Sequence, residues 1–323
     1  MHYPALVVRE ENDLSTLLTG MRKASAAGEN AMEFARVLGQ TTEVNMTTAV
    51  EIAYDLQSGS YVDDAIRDPE ANERWCQQLA GILEPLTSGS ETVIEVGCGE
   101  ATTLSGVADQ LGLSAESTYG FDIAWSRVRV AQQWMQRQNL SANVFVADLF
   151  RIPCPANRFD VVYTSHSIEP NGGRESEAIA ELLRISCEWV VLVEPLFELA
   201  DEAARRRMAW HGYVRDLAAV AVRLGAEIVD YRLLDLTPNP LNPSGLVLLR
   251  KPCPDNIESG WRCPLTGTVL KDYGDLFYST EAGIAYPVVR GIPMLKVEHA
   301  ILASQLSQDL ESSMPPRPWR ASM

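Results

Sequence analysis

The spacing of apolar residues along the chain changes near residue 91. Over residues 29–38 and 75–83, apolar positions recur with the period of a helix. Beyond residue 91, short β-branched runs such as 92–96 alternate with helical stretches such as 103–111. Strands that alternate with helices form βαβ units, so this part predicts a mainly parallel sheet with helices on both faces. The change of pattern therefore predicts a helical cap over residues 1–90 and a doubly wound α/β domain over 91–251.

The α/β domain ends with two predicted strands, over residues 227–234 and 245–250. The stretch between them is rich in Pro and Asn and has no helical pattern, so the two strands are expected to pair antiparallel. The earlier strands are predicted over residues 92–96, 118–121, 143–146, 159–163 and 189–193.

Residues 259–297 have a different pattern, in which short strands are separated by Gly and Asp turns. The strands are predicted over residues 268–270, 276–279 and 285–289, after a linker at 252–258. This part predicts a small β module. Residues 298–323 are expected to contain a short helix, over 300–310, and a mobile tail.

The composition narrows the classes of partner. The 323 residues carry a formal net charge of -16, and 46% of them are hydrophobic. Phosphate backbones repel such an acidic chain, so a nucleic-acid partner is disfavoured. No segment reaches the roughly 20 apolar residues that a membrane span needs, and the N-terminus lacks the basic flank of a signal peptide. The six cysteines are scattered, which is typical of reduced thiols. We expect a cytoplasmic protein with no membrane partner.

The strongest chemical signal is the segment VIEVGCGEA at residues 93–101. A strand runs into a glycine turn and then a helix, so that a ligand can lie against the backbone and the free N–H groups of the helix. A dinucleotide-binding turn needs a third glycine, where this chain has Thr102. Glu95 is also a poor neighbour for a pyrophosphate, but it suits an ammonium group. An NAD-dependent dehydrogenase is therefore disfavoured.

Two acidic residues follow at the ends of the next two strands. Asp122 stands where Rossmann-type sites place a ribose-binding carboxylate. Capping of the next helix is the alternative role, and the two can coexist. Asp148 can accept a hydrogen bond from the exocyclic amine of adenine, or it can be an ordinary loop acid. Ile123 and Leu149 are candidates to sandwich the adenine ring.

Taken together, these segments resemble class I S-adenosylmethionine-dependent methyltransferases of the type 11-like group. The motif EVGCG at 95–99, Asp122, the pair AD at 147–148 and the segment RFDVVY at 158–163 occur in the family's order. The resemblance covers residues 91 to about 250. It implies a Rossmann-like sheet of seven strands with an antiparallel last strand, and S-adenosylmethionine as the cofactor. The chain departs from many members at Ala101, where they have glycine.

The resemblance also implies which residues bind the cofactor. By motif match, Glu95, Gly97 and Gly99 would line the methionine end, Asp122 would bind the ribose and Asp148 the adenine edge. Tyr61, together with Tyr54, is expected to fold over the cofactor from the N-terminal cap; the alternative is that both are core tyrosines.

The acceptor side is expected beyond the carboxyl ends of the later strands. In the family, the loop after the fourth strand faces the transferable methyl, so Ser165 and His166 are expected to touch the cofactor. His166, Glu169 and His211 are candidate general bases, because imidazole and carboxylate can accept a proton near neutral pH. Each is otherwise an ordinary polar loop residue. Many methyltransferases need only orientation and proximity, so a base is not obligatory.

Residues 259–297 are similar to the small activator subunit of translation-factor and tRNA methyltransferases. The similarity rests on WRCPLTG at 261–267, GIAYPV at 283–288 and GIPML at 291–295. Zinc-binding relatives carry a C-x-x-C pair, whereas Thr266 replaces the second cysteine here and residues 279–281 contain no thiol. We therefore expect no metal site. The module either packs on the catalytic domain or takes part in substrate binding.

The sequence as a whole predicts an S-adenosylmethionine-dependent methyltransferase that acts on a small-molecule or glycan-like acceptor, at an oxygen atom. The acidic composition favours this acceptor over RNA. A tRNA or protein methyltransferase, suggested by the C-terminal module, is one alternative. A non-catalytic cofactor-binding interaction module is an alternative of a different class. A homodimer stays open.

Overall fold

A seven-stranded mixed sheet forms the centre of the structure, a computed structural model that describes residues 11–39, 46–87, 91–253 and 258–306. The strand order is β3-β2-β1-β4-β5-β7-β6. The first five strands run parallel to their neighbours, and β7 is antiparallel to both β5 and β6. The strands are β1 (Val93–Val96), β2 (Thr118–Asp122), β3 (Asn143–Val146), β4 (Phe159–Ser165), β5 (Ser186–Pro195), β6 (Glu227–Leu233) and β7 (Ser244–Arg250). This topology confirms the predicted Rossmann-like fold class and the antiparallel last pair.

The burial of the central strand β1 shows that the sheet is covered on both faces. All four of its residues are buried, as expected for a parallel strand between two layers of helices. Ile94 packs in the apolar cluster of one face and Val93 in the cluster of the other. The chain leaves β1 towards β2 on one side and β4 lies on the other side. Ligands bind at such a switch point, beyond the carboxyl ends of the strands.

Ten α-helices occur in the described residues, and five of them precede the sheet. They are α1 (Glu11–Ala26), α2 (Ala31–Gly39), α3 (Thr47–Leu56), α4 (Ser60–Arg67), α5 (Pro69–Leu83), α6 (Thr102–Leu111), α7 (Trp125–Arg137), α8 (Glu175–Ile185), α9 (Glu202–Trp210) and α10 (Leu217–Arg223). Helices α9 and α10 are separated by a turn at His211 and Gly212.

The N-terminal helices lie over the strand ends. Helices α1 to α3 share a small apolar cluster that contains Met21 and Ile52. Helix α5 packs closely on α6, because a Cβ on Gly106 would come within 2.5 Å of the Cys76 sulfur. Helix α3 is joined to α7 by a hydrogen bond from Arg127 Nε to the Tyr54 carbonyl, 2.9 Å. The cap is therefore fixed to two helices that begin at the carboxyl edge of the sheet.

The C-terminal module is an antiparallel sheet that lies against the β3 edge of the large sheet. Its strands are β8 (Lys271–Asp272), β9 (Leu276–Ser279), β10 (Ile284–Val289), β11 (Ile292–Pro293) and β12 (Ile301–Leu302). The Leu295 N–H donates to the Val146 carbonyl of β3, 2.8 Å. The Trp261 ring meets Phe145 edge-on, with 4.7 Å between centroids. The module thus covers a strand edge that would otherwise be open to pairing with other chains.

Two predicted elements of this part differ in the structure. The helix expected over residues 300–310 is replaced, in its described part, by the short strand β12. Ile301 and Leu302 pair with Ala285 and Ile284 of β10, so tertiary strand pairing overrides the local helical spacing. Of the strand expected over 268–270, Val269 makes a single bridge, to Arg262. The end of the predicted helix, the predicted tail over 315–323 and most of the linker lie outside the described residues.

Two of the six cysteines are paired, which differs from the expectation of reduced thiols. Cys187 and Cys253 form a disulfide, with 4.8 Å between their Cα atoms. The antiparallel register of β5 and β7 aligns Trp189 with Arg250. Where the two segments continue beyond this pair, the residues before Trp189 lie close to the residues after Arg250, and Cys187 is thus near Cys253. Sequence spacing alone, 66 residues, does not indicate this pairing.

Candidate active site

A cavity of about 760 Å³ opens at the carboxyl ends of β1, β2 and β4. The N-terminal cap closes one side of it, with Tyr54 and Tyr61 from α3 and α4. The loop after β4 and the helix α9 close the other. Its size is typical of a small-molecule or cofactor site.

The glycine turn after β1 forms the floor of the cavity. Gly97 and Gly99 have positive φ angles, 69° and 53°, which glycine adopts without steric cost. A Cβ on Gly97 would lie 2.4 Å from the Cβ of Ser167, so no larger residue fits there. Ala101 also has a positive φ, 58°. This explains in physical terms why glycine is favoured at that position.

Glu95 is buried under the turn. Its carboxylate accepts a hydrogen bond from the Tyr163 hydroxyl, 2.9 Å. Burial raises the pKa of Glu95 to about 8, against the opposing effect of this hydrogen bond. A ligand ammonium beside the carboxylate would favour its ionised form. The site thus suits a cationic amino group, as the sequence predicts.

Asp122 is the last residue of β2, and its side chain both bonds to backbone N–H groups and lines the cavity. Its carboxylate accepts from the N–H of Gly99, 3.1 Å, and from the N–H of Ala124, 2.9 Å. The bond to Ala124 closes a turn just before α7, whose N-cap residue is Ala124 and has no side-chain cap hydrogen bond, so Asp122 does not cap that helix. Burial raises the pKa of Asp122, although these hydrogen bonds and the nearby Arg127 lower it. A carboxylate has about four acceptor positions, so it can still accept from ribose hydroxyls.

The structure brings all nine predicted cofactor-binding residues to this one cavity. They are Glu95, Gly97, Gly99, Asp122, Ile123, Asp148, Leu149, Ser165 and Tyr61. The Asp148 carboxylate also accepts from the Phe150 N–H, 2.9 Å, and Ser165 Oγ accepts from Trp75 Nε1, 3.3 Å. Their contacts with a ligand stay a prediction.

His166 and Glu169 form a pair in the loop after β4. His166 Nδ1 lies 3.1 Å from Glu169 Oε2, and His166 Nε2 lies 2.7 Å from Ser244 Oγ. Burial alone would lower the pKa of His166, but the hydrogen bond and charge of Glu169 outweigh it and the pKa is raised. Asn242 Nδ2 also donates to Glu169, 3.1 Å. Both members of the pair line the cavity.

His211, the third candidate base, lies behind this wall. It follows the last residue of α9 and packs against Tyr213, with 5.4 Å between ring centroids. Tyr213 lines the cavity, whereas His211 is not among the described residues that do so. Tyr213 rather than His211 therefore contributes to the cavity wall, and the role of His211 as a base stays a prediction.

Two buried charges at the glycine turn were not predicted. Glu100 accepts from the N–H groups of Gly59 and Val62, both at 2.8 Å, and so caps the start of α4 from the glycine turn. Arg127 Nη1 lies 3.5 Å from Glu100 Oε1, and both side chains are almost fully buried, 1% and 0% exposed. These contacts join residues about 40 and 70 positions apart in the sequence, which local patterns do not reveal.

Arg127 provides a test of whether the cavity fits S-adenosylmethionine, the cofactor that the resemblance implies. Its guanidinium lies between the rings of Tyr61 and Tyr54, 4.2 and 5.0 Å from their centroids. Both Nη atoms are buried without a hydrogen-bond partner, and the residue lines the cavity. Buried donors of this kind call for an acceptor from a ligand. The cofactor carries an ammonium that suits Glu95 and a carboxylate that suits the Arg127 Nη atoms, which have no hydrogen-bond partner beside their ion pair with Glu100.

Comparison with known proteins agrees with this geometry. Residues 93–186, from β1 to the first residue of β5, match the family model of a methyltransferase domain. The chain carries a methyltransferase domain over these residues. No curated protein matches the chain.

Three solved structures are similar to this chain, and the first supports the fold. Magnesium protoporphyrin IX methyltransferase from Synechocystis PCC 6803 is 15% identical with a TM-score of 0.50, over 64% of this chain and 100% of that one. A SAM-dependent methyltransferase from Methanosarcina mazei is 16% identical with a TM-score of 0.47, over 54% and 98%. The [4+2]-cyclase SpnF is 16% identical with a TM-score of 0.45, over 55% and 81%.

The described part of the chain contains no helix that is both long and apolar enough to cross a membrane. Nor do the described residues include a cluster of three or more His, Cys, Asp or Glu side chains arranged to hold a metal ion.

Proposed function

We propose that the protein is an S-adenosylmethionine-dependent methyltransferase that methylates a hydroxyl oxygen of a small-molecule or glycan-like acceptor. The observation that carries this proposal is the His166–Glu169 pair beside Ser165, at the edge of a cavity whose floor is the glycine turn. The cofactor would occupy the side with Glu95, Asp122 and Arg127. The acceptor would enter between the loop after β4, the helix α9 and the β6–β7 connection.

Glu95, Asp122 and Arg127 would hold the cofactor, which would supply an electrophilic methyl group to the acceptor oxygen and keep the carbon–sulfur electron pair on its sulfur. The hydroxyl proton would pass to the Glu169 carboxylate of the His166–Glu169 pair, because both ring nitrogens of His166 already face Glu169 and Ser244. Asn242 and Ser244 hold the pair in place through their hydrogen bonds to Glu169 and His166. Positioning of the two reactants supplies much of the rate.

The enclosure of the cavity supports a small acceptor. Tyr54 and Tyr61 cover it from the cap, and Tyr213 with Asn239 and Asn242 line the opposite side. A tRNA or protein methyltransferase is a second candidate, suggested by the resemblance of the C-terminal module. The net charge of -16 disfavours its RNA version.

A calorimetric titration with S-adenosylmethionine, S-adenosylhomocysteine and NAD tests the proposal. We expect binding of the first two and not of NAD. Asp122→Ala should weaken S-adenosylhomocysteine binding about 10- to 100-fold, because hydrogen bonds to a charged acceptor are lost. Asp109→Ala, on the exposed face of α6, is the matched control. Binding of NAD alone, or unchanged affinity in Asp122→Ala, would contradict the assignment.

A further inference from the structure

Arg207 places a positive charge on the acceptor side of the cavity. It lies on α9 and lines the cavity together with Tyr213. Its Nη1 atom is buried and has no hydrogen-bond partner. Most buried polar atoms are hydrogen-bonded, so a donor left in this state at a cavity wall indicates a ligand acceptor.

Backbone hydrogen bonds fix the wall of the cavity around Arg207. The Gly172 N–H donates to the Gly212 carbonyl, 3.0 Å, and the Val214 N–H donates to the Glu169 carbonyl, 3.0 Å. A Cβ on Gly172 would come within 2.4 Å of the Gly212 oxygen. The loop that carries Glu169 and the turn after α9 are therefore locked together, and the two sides of the acceptor region keep a fixed separation.

Tyr213 adds a second donor beside Arg207. Its ring centroid lies 5.8 Å from the guanidinium carbon of Arg207. Burial, and then the charge and a hydrogen bond of Glu169, raise the pKa of the Tyr213 phenol, whereas Arg207 opposes this shift. The phenol is therefore protonated at neutral pH and lies between the Glu169 carboxylate and the Arg207 guanidinium.

The two arginines that line the cavity, Arg127 and Arg207, have different neighbours. Arg127 lies at the glycine turn, where it meets Glu100 and the cap. Arg207 lies across the cavity, next to the loop of His166 and Glu169. A planar guanidinium with a free edge binds carboxylates and similar oxyanions better than neutral groups. One arginine therefore suits the cofactor, and the other is left for the acceptor.

We infer that the acceptor is a hydroxy acid, whose carboxylate is bound by Arg207 and Tyr213 while its hydroxyl meets the His166–Glu169 pair. This inference rests on the proposed function and names its substrate class. Two-point binding fixes the acceptor between a cation at one end and a proton acceptor at the other. It also explains how an acidic chain holds an anionic substrate, since Arg207 supplies a positive charge at the wall of the cavity.

The test uses the full chain saturated with S-adenosylhomocysteine and ligand-observed NMR. The probes are 4-hydroxybenzoate and 3-hydroxybutyrate, each compared with its primary amide. We expect the acids to bind about tenfold or more tightly than the amides, since a charge-assisted pair is lost in the amide. Arg207→Met should reduce this preference to about twofold or less. The neighbouring Arg206→Met is the matched control, because Arg206 is 67% exposed and pairs with Glu202.

The outcomes separate this inference from the function on which it rests. If S-adenosylhomocysteine binds but the acids show no preference over the amides, or none of the probes binds, the hydroxy-acid inference fails alone. The same holds if the preference survives in Arg207→Met or is lost equally in Arg206→Met. If S-adenosylhomocysteine does not bind to the wild-type protein, the proposed function fails as well.

Discussion

At the scale of single residues, the most informative side chain is Arg127, whose two buried Nη atoms have no hydrogen-bond partner although Nη1 lies 3.5 Å from the Glu100 carboxylate. If they bind the carboxylate of the cofactor, Arg127→Met should weaken S-adenosylhomocysteine binding about tenfold or more. It should weaken methylthioadenosine, which lacks the amino-acid carboxylate, by about threefold or less. Calorimetry with both ligands measures the difference.

Arg129→Met is the control for this comparison, since Arg129 lies two residues later on α7 and pairs with Gln132. Its affinity for both ligands should equal that of the wild-type protein. Equal losses for the two ligands in Arg127→Met would show that the guanidinium positions the cap or the ribose rather than the carboxylate.

Glu194 makes the stability of the protein depend on pH. It is fully buried at the end of β5 and accepts from the Ser167 and Ile168 N–H groups, 3.0 and 3.2 Å. Burial raises its pKa from 4.5 to about 7. Between these values the folded state holds a proton that the unfolded state has lost, so the free energy of unfolding falls as pH rises. Glu95, with a pKa of about 8, has the same sign.

Glu194→Gln should flatten this pH dependence. The amide is always neutral, and its oxygen can still accept from the two N–H groups. Urea unfolding at pH 5 and pH 7.5 measures how much the free energy of unfolding decreases between these two pH values. The decrease should be smaller in the variant than in the wild-type protein by on the order of 3 kcal/mol. Glu227→Gln, exposed on β6, should leave the fall unchanged. Parallel curves for Glu194→Gln and the wild-type protein would contradict the assignment.

The residues that the sequence identifies are those whose role depends on a local position. Gly97, Gly99 and Asp122 lie at strand ends next to their own turns, and their arrangement follows from the strand-turn-helix pattern. Arg127 and Arg207 carry no such signal, because each sits in an ordinary helical stretch. Their importance comes from side chains of distant segments, which only the folded chain brings together.

At the scale of elements, the cap and the C-terminal module meet through one buried pair. Lys296 follows β11 and donates to Glu51 of α3, with 3% and 28% of the side chains exposed. Burial raises the pKa of Glu51 in spite of Lys296. Lys296→Met removes the partner of a largely buried carboxylate, so we expect a loss of about 1–3 kcal/mol in the free energy of unfolding. Urea unfolding measures it.

A double variant sharpens this prediction. Adding Glu51→Gln to Lys296→Met removes the unpaired charge and should restore part of the lost stability. Lys271→Met, exposed on β8, controls for loss of a lysine from the module. An additive effect of the two substitutions would mean that the pair does not couple the cap to the module.

The elements that the sequence predicts well are those with strong periodicity. The strands of the large sheet and the order of its helices follow from apolar runs and Gly turns. The helix predicted over 300–310 is wrong at Ile301 and Leu302. These two residues pair with the edge of β10 instead. Pairing with a partner strand distant in sequence decides the structure of such short segments.

At the scale of the whole molecule, the C-terminal module and the methyltransferase domain share one core. Phe277, Tyr286 and Leu295 of the module belong to the same buried cluster as Phe145 and Ile94 of the large sheet. A shared core couples the two parts energetically, so the full chain should unfold in a single transition in scanning calorimetry. Residues 1–253, which keep Cys253 as the partner of Cys187, should alone melt about 10 °C lower or aggregate, because the β3 edge and Phe145 become exposed. Two separate transitions in the full chain, with the first 253 residues melting as they do in the intact protein, would show instead that the module is an independent appendage.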